Sequence, residues 1–191
     1  INFYYNQDIY KNNKKLKLKR KKKRAFLIAT GPSLKMENLK LLRNEDCFTL
    51  SNAFLLKNIH IINPIMHFFA PYHKPITQKS FYNWLNQADK KLPNHTSIIL
   101  SHNDKKFLKN KLFKKREIFY LNITRNVSKF HSDITKAQPK FQSGSIMVIP
   151  VLMYMGYKQI YLLGCDHNQL KNFNSIINNF YDEKLDVRYT K

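Results

Sequence analysis

RAFLIATGPSLKMEN, residues 24–38, divides into three parts. Ala25 to Ala29 are apolar or small without a break, which reads as a short buried strand. Thr30-Gly31-Pro32-Ser33 interrupts the run, and Leu34, Leu39, Leu41 and Leu42 then follow a helical pattern. An apolar run, a Gly-containing turn and a helix, in that order, make the first half of a βαβ unit. Gly31 lets the backbone come close to a ligand, and Pro32 limits the turn's freedom. Ser33 is placed as the helix N-cap, with Glu37 in the first turn, where the helix dipole favours an anion. N–H groups at such a helix start attract phosphate. A plain strand–helix turn fits the same residues.

Outward from this stretch, strands and helices alternate. Cys47–Ser51 (CFTLS) reads as a second strand ending at Asn52-Ala53. An Asn at the carboxyl end of a parallel strand faces the crevice where α/β ligands bind, and offers both a donor and an acceptor. A turn Asn fits Asn52 equally well. Ile65–Ala70 reads as a third strand with His67 packed inside it, and the loop Pro71-Tyr72-His73-Lys74-Pro75 makes Tyr72 and His73 candidate substrate contacts. Thr77–Lys90 places Phe81, Trp84, Leu85 and Ala88 on one apolar helix face. Further strands are expected at Ser97–Leu100 and Glu117–Leu121, with a basic helix at Asp104–Lys115 between them and a polar loop over 122–139.

The second informative stretch is FQSGSIMVIPVLMYMGYKQIYLLGCDHNQ, residues 141–169. Ser143-Gly144-Ser145 opens a helix that is apolar nearly all round, the mark of burial, with Pro150 as a kink and Gly156 as its C′ residue. Gln159–Leu163 is strand-like and runs directly into Gly164-Cys165-Asp166-His167-Asn168, a second strand end carrying polar groups. The alternation predicts an α/β, Rossmann-like domain over 24–191, with a mostly parallel sheet flanked by helices. Asn178–Glu183 reads as a loop over the site, and the lack of a closing element before Lys191 predicts truncation at the C-terminal end.

Lys and Arg number 34 against 12 Asp and Glu, a formal charge of +22 that attracts polyanions without choosing among them. The joint excess of Lys, Asn, Ile and Phe is the bias of an AT-rich genome, which weakens charge as an argument for nucleic acid. Residues 1–23 form a basic N-terminal arm whose densest part is Lys14–Arg24. Such a run is a solvated arm, a contact to an anionic membrane surface, or a nucleic-acid contact. No apolar stretch approaches the roughly 20 residues that span a bilayer. Cys47 and Cys165 sit in apolar runs without CxxC spacing, which suits buried thiols of a cytoplasmic protein.

The order of ATGPSL after one strand, SN at the next strand end, QSGS at a helix start and GYKQIYLLGCD resembles bacterial surface-glycan transferases. The similar families are the sialyltransferases that use a CMP-activated sialic acid, the motility-accessory-factor proteins and their pterin-pyrophosphokinase-like relatives. The resemblance runs from Arg24 to about Glu183 and rests on three short motifs. It implies a nucleotide held at strand carboxyl ends. By position it assigns Gly31, Pro32 and Ser33 to the turn beside the nucleotide, and Asn52 to a nucleotide contact. It assigns Ser143 and Gly144 to the phosphate, and Gly164 and Asp166 to the G-x-D strand end. Thr30 stands where the sialyltransferases have Asn, Ala70 where they have a donor-binding Asn, and Lys140 near their Arg. Their catalytic His lies beyond G-x-D, and no His follows His167 here.

A glycosyltransferase on this pattern would take a nucleotide-sugar donor and a cell-surface glycan such as lipooligosaccharide or capsule as acceptor. Ser145 joins the phosphate cradle, His167 is the one nearby imidazole able to act as base or else a supporting residue, and Asn168 is a further substrate contact. There is no DxD, so no dedicated metal site and no separate cofactor are expected, and basic residues would stabilise the leaving phosphate. Location would be cytoplasmic, peripheral at the inner membrane. The alternatives are a pyrophosphokinase-like enzyme on the same scaffold and a basic nucleic-acid-binding protein. The second is disfavoured because the aromatics fall at core positions rather than on a stacking surface.

Overall fold

A computed structural model describes residues 10–110, 112–167 and 179–188. The strands are β1 (Arg24–Ile28), β2 (Asp46–Leu50), β3 (Met66–Phe68), β4 (Ser97–Ser101), β5 (Ile118–Leu121), β6 (Ile123–Thr124), β7 (Gln138–Pro139) and β8 (Gln159–Leu163). Among the described residues, six of them form one sheet in the order β5-β4-β3-β2-β1-β8, and every neighbouring pair is parallel. β6 and β7 pair separately. All five residues of β2 and all five of β4 are buried, as strands covered on both faces must be. The fold is α/β and Rossmann-like.

Three α-helices are described: α1 (Ile59–Ile62), α2 (Gln78–Lys91) and α3 (Gly144–Tyr154). α2 starts where a Thr cap is expected: Thr77 Oγ1 accepts from Ser80 N at 3.0 Å. Phe81, Trp84, Leu85 and Ala88 form its buried face. They join Leu34, Leu39, Ile59 and Ile62 on one side of the sheet. α3 lies on the other side, with Met147, Val148, Val151 and Leu152 packed on Leu27, Phe48 and Phe68. The β1-to-β5 connections therefore cover one face, and the return to β8 covers the other.

Several expectations are corrected. The segment after the GPS turn is not an α-helix but two 3₁₀ turns, Pro32–Met36 and Leu39–Leu42. Gly31, not Ser33, occupies the N-cap position, and Glu37 sits at the end of the first turn in extended backbone. Ser33 cannot cap because its hydroxyl is already bonded elsewhere, as described below. The basic stretch after β4 is likewise 3₁₀, over His102–Asn110. β3 is shorter than the third strand expected over Ile65–Ala70. α3 is not buried all round: Ile146 and Met153 are 39% and 63% exposed, because the sheet covers only one side of the helix.

The basic segment is not a free arm along its length. Asn12–Lys19 forms a 3₁₀ helix whose Leu16 is buried in the α3-side core. Asn13 Nδ2 donates to the carbonyls of Tyr120 at 2.9 Å and Ile134 at 3.1 Å. The buried Asp46 carboxylate accepts from the backbone N–H groups of Lys21 and Lys22, both at 2.7 Å, and from Tyr157 Oη at 2.6 Å. One leucine and one asparagine among the lysines decide this packing. Among the described residues, no helix is long and apolar enough to cross a membrane.

Candidate functional site

β1 is flanked by β2, the strand that follows it, and by β8, which arrives over the opposite face. Between β1 and β8 the winding reverses, and at such a switch point the chain leaves the two strand ends toward opposite faces and opens a crevice. Here that crevice is a cavity of about 240 Å³. Thr30, Gly31 and Pro32 line it from β1, Gly164, Asp166 and His167 from β8, and Gly144 and Ser145 from the start of α3. Residues that lie far apart in the sequence thus share one wall.

The two strand ends are locked together. Gly31 N donates to Gly164 O at 2.8 Å, continuing the ladder one step past the strands. Asp166 Oδ1 accepts from Ser33 Oγ at 2.5 Å, and Oδ2 accepts from Ser33 N at 3.1 Å. A Cβ on Gly31 would fall 2.6 Å from Asp166 Cγ and 2.7 Å from Gly164 O. Gly31 has φ −67°, so close approach rather than backbone freedom requires glycine there. Gly164 has φ +63°, and a Cβ on it would meet Leu34 Cγ at 2.7 Å.

The helix start completes the wall. Ser143 Oγ caps α3 by accepting from Ile146 N at 3.4 Å. Ser143 itself is absent from the crevice lining and borders an adjoining open cavity of about 1030 Å³. The first N–H groups of an α-helix have no partner within the helix, and they give its N-terminus a partial positive charge. Gly144 is held close over the sheet, since a Cβ there would come within 2.8 Å of Leu50 Cδ2. Ser145 Oγ and His167 Nε2 are 3.4 Å apart. Ser51 and His167 are both in left-handed backbone, at φ 56° and 46°. Non-glycine residues in that region tend to cluster at functional sites. Cys165, also in the lining, has its thiol pushed up by burial against a hydrogen bond from Ser145.

Tyr72 and His73 do not border the small crevice. They line the larger cavity, which meets the crevice at Ala70 and Gly144. Lys74, Arg125 and Lys140 border the same cavity and give it a cationic wall. Arg125 was not singled out by the sequence reading. Its signal is positional, in the polar loop just beyond the carboxyl end of β5.

Asn52 is turned away from the crevice, contrary to its expected place. It is fully buried; its Oδ1 accepts from Trp84 Nε1, and its Nδ2 donates to Tyr181 Oη at 2.8 Å. Tyr181 Oη donates onward to Asp186 Oδ2 at 3.3 Å, and Arg188 Nε donates to Asp186 Oδ1 at 2.8 Å. The Arg188 guanidinium lies 4.6 Å from the Trp84 ring centre. Burial would raise the Asp186 carboxyl, but its bonds to Arg188 outweigh burial and hold it low. Residues 179–188 thereby form a strap over the ends of β1 and β2, anchored by Phe180 N on Thr30 O at 3.1 Å. Asn179 reaches the crevice lining. Asn168 lies outside the described residues.

Comparison of the chain with known protein families, with curated proteins and with solved structures finds no match.

Proposed function

We propose that the chain is a glycosyltransferase that binds a nucleotide-activated sugar in the crevice and an acceptor glycan in the adjoining cavity. The observation that carries this reading is the meeting of two strand ends and a helix N-terminus at the winding reversal of a parallel sheet. That combination favours an anionic, phosphate-bearing ligand. The motif resemblance narrows the class to a CMP-linked, sialic-acid-like donor and a surface glycan such as lipooligosaccharide or capsule. The nucleotide phosphate faces Gly144 and Ser145 at the start of α3. Gly31 and Gly164 leave room for it, and Asp166 holds the Ser33 turn in place.

In this scheme an acceptor hydroxyl oxygen attacks the anomeric carbon, and the bond from that carbon to the phosphate oxygen breaks. His167 accepts the acceptor's proton, oriented by Ser145. The departing phosphate's charge is stabilised by the helix N-terminus, with Lys140, Arg125 and Lys74 of the neighbouring cavity supplying further cations. Tyr72 and His73 contact the acceptor side. No metal or separate cofactor takes part.

Calorimetry with CMP and a CMP-sugar tests the reading. Wild type is expected to bind both, Gly31→Val to lose about tenfold or more in affinity because its side chain fills the wall, and Tyr72→Ala to keep nucleotide affinity while losing transfer. Binding of ATP with Mg²⁺ and none of CMP would move the chain to the pyrophosphokinase class. Steeply salt-dependent RNA binding without nucleotide affinity would move it to nucleic acid.

A further inference from the structure

We propose that the outer face of α3 is a docking surface for an anionic phospholipid bilayer. α3 is apolar on both sides, and Met147, Val148, Val151 and Leu152 form its buried face in the core on this side of the sheet. On the opposite side Ile146, Ile149, Pro150 and Met153 follow the i, i+3, i+4, i+7 spacing of a single stripe. With Phe130 and Tyr154 they line an open, almost wholly apolar groove of about 530 Å³. Phe130 is 54% exposed and Met153 63%. Exposed apolar side chains gathered on one helix face mark an interaction surface rather than scattered solvent contacts.

The rim identifies the occupant. Lys14 and Lys17, from the 3₁₀ helix packed on the same side of the sheet, border a second depression that shares Ser132 and Tyr154 with the groove. Lys17 Nζ lies 4.8 Å from the Tyr154 ring centre. The single acid in that depression, Asp133, accepts through Oδ1 from the N–H and hydroxyl of Thr135 and faces Lys17 electrostatically, so with Lys14 and Lys17 the rim stays net positive. An apolar helix stripe beside cationic side chains is the pattern of an element lying in a membrane interface. Anionic headgroups complement the rim, whereas a second copy of a chain carrying +22 would oppose it. The same helix begins at the crevice, so docking would leave its N-terminal end, and the cavity mouth, beside the membrane.

Vesicle sedimentation with the full chain tests the proposal, using phosphatidylcholine alone and phosphatidylcholine mixed with phosphatidylglycerol. Binding is expected only to the mixed vesicles. Met153→Glu and Phe130→Ser should each weaken it about tenfold, and Lys14→Glu with Lys17→Glu by a similar factor. These positions are on the surface, and an unchanged thermal midpoint confirms folding of each variant. Three results would overturn the idea. One is vesicle binding that responds to the lysines but ignores Met153 and Phe130, since the groove then plays no part. Another is an absence of binding by wild type. The third is a wild-type dimer that Met153→Glu dissociates, since a second copy then covers the groove.

Discussion

Asn52 shows how far a residue's neighbours decide its work. At the end of a parallel strand it has the place of a ligand contact, yet its amide joins Trp84 to Tyr181 inside the protein. Asn52→Ala is therefore expected to leave nucleotide affinity nearly unchanged and to lower folding stability by about 2 kcal/mol, because the buried Trp84 N–H loses its acceptor and the Tyr181 hydroxyl oxygen loses its donor. Urea unfolding measures this. Two further residues set opposing pH responses. Burial pushes the His67 imidazole down to about 3, so the unfolded chain binds its proton more readily and stability falls as pH drops below 6.5. Burial raises the Asp104 carboxyl to about 6, despite the Tyr72 N–H that it accepts at 3.1 Å. The folded state then binds that proton more readily, and stability rises as pH drops below 6. Between about pH 6 and 4 the two effects oppose each other. Asp104→Asn keeps the acceptor, should add on the order of 2 kcal/mol near pH 7, and should expose the acid-side fall due to His67. His67→Gln should expose the contrary rise. Thermal unfolding of both variants from pH 7 to 4 checks the signs, and parallel slopes in the two would refute the assignment.

At the scale of elements, the strands were the most legible part of the chain. β1, β2, β4, β5 and β8 each lie within a residue or so of their expected spans, since short apolar, β-rich runs bounded by turn residues mark them, whether fully buried as in β2 and β4 or partly exposed as in the edge strand β8. The 3₁₀ turns after β1 and β4 were not legible: a few leucines at helical spacing cannot tell a continued helix from two short turns. The strap was legible as a loop over the site at Asn178–Glu183, but its anchor on Thr30 O was not, because no side-chain pattern announces a backbone contact. The candidate site was partly legible. Gly31, Gly144 and Gly164 mark the three walls in sequence, while the inward turn of Asn52 depends on a tryptophan in another element. Gly164→Ala is expected to cost about 1–3 kcal/mol from its left-handed backbone alone, and more from contact with Leu34. Proteolytic susceptibility of the turn before Leu34 should rise with it. An alanine variant as stable as wild type would show that Leu34 yields and that the wall is soft.

For the molecule as a whole, Asp46 ties the basic segment to the base of the sheet. Removing it in Asp46→Ala leaves the Lys21 and Lys22 N–H groups and the buried Tyr157 hydroxyl without their acceptor, with an expected loss of roughly 3 kcal/mol. Chemical denaturation measures that loss, and an unchanged midpoint would mean the segment is held by Leu16 packing alone. The position of β8 has a consequence for how the protein is made. β1 pairs with β2 soon after both are synthesised, but its other edge must wait for residues 159–163. Closing so long a loop is slow, and the open edge is exposed to mispairing until it closes. A nascent chain still lacking β8 has most of its sheet but not the wall of Gly164, Asp166 and His167 that closes its crevice. Ligand binding thus becomes available only at the last pairing step. Pulse-labelled hydrogen exchange during refolding should show the β1–β2 amides protected before those joining β1 to β8.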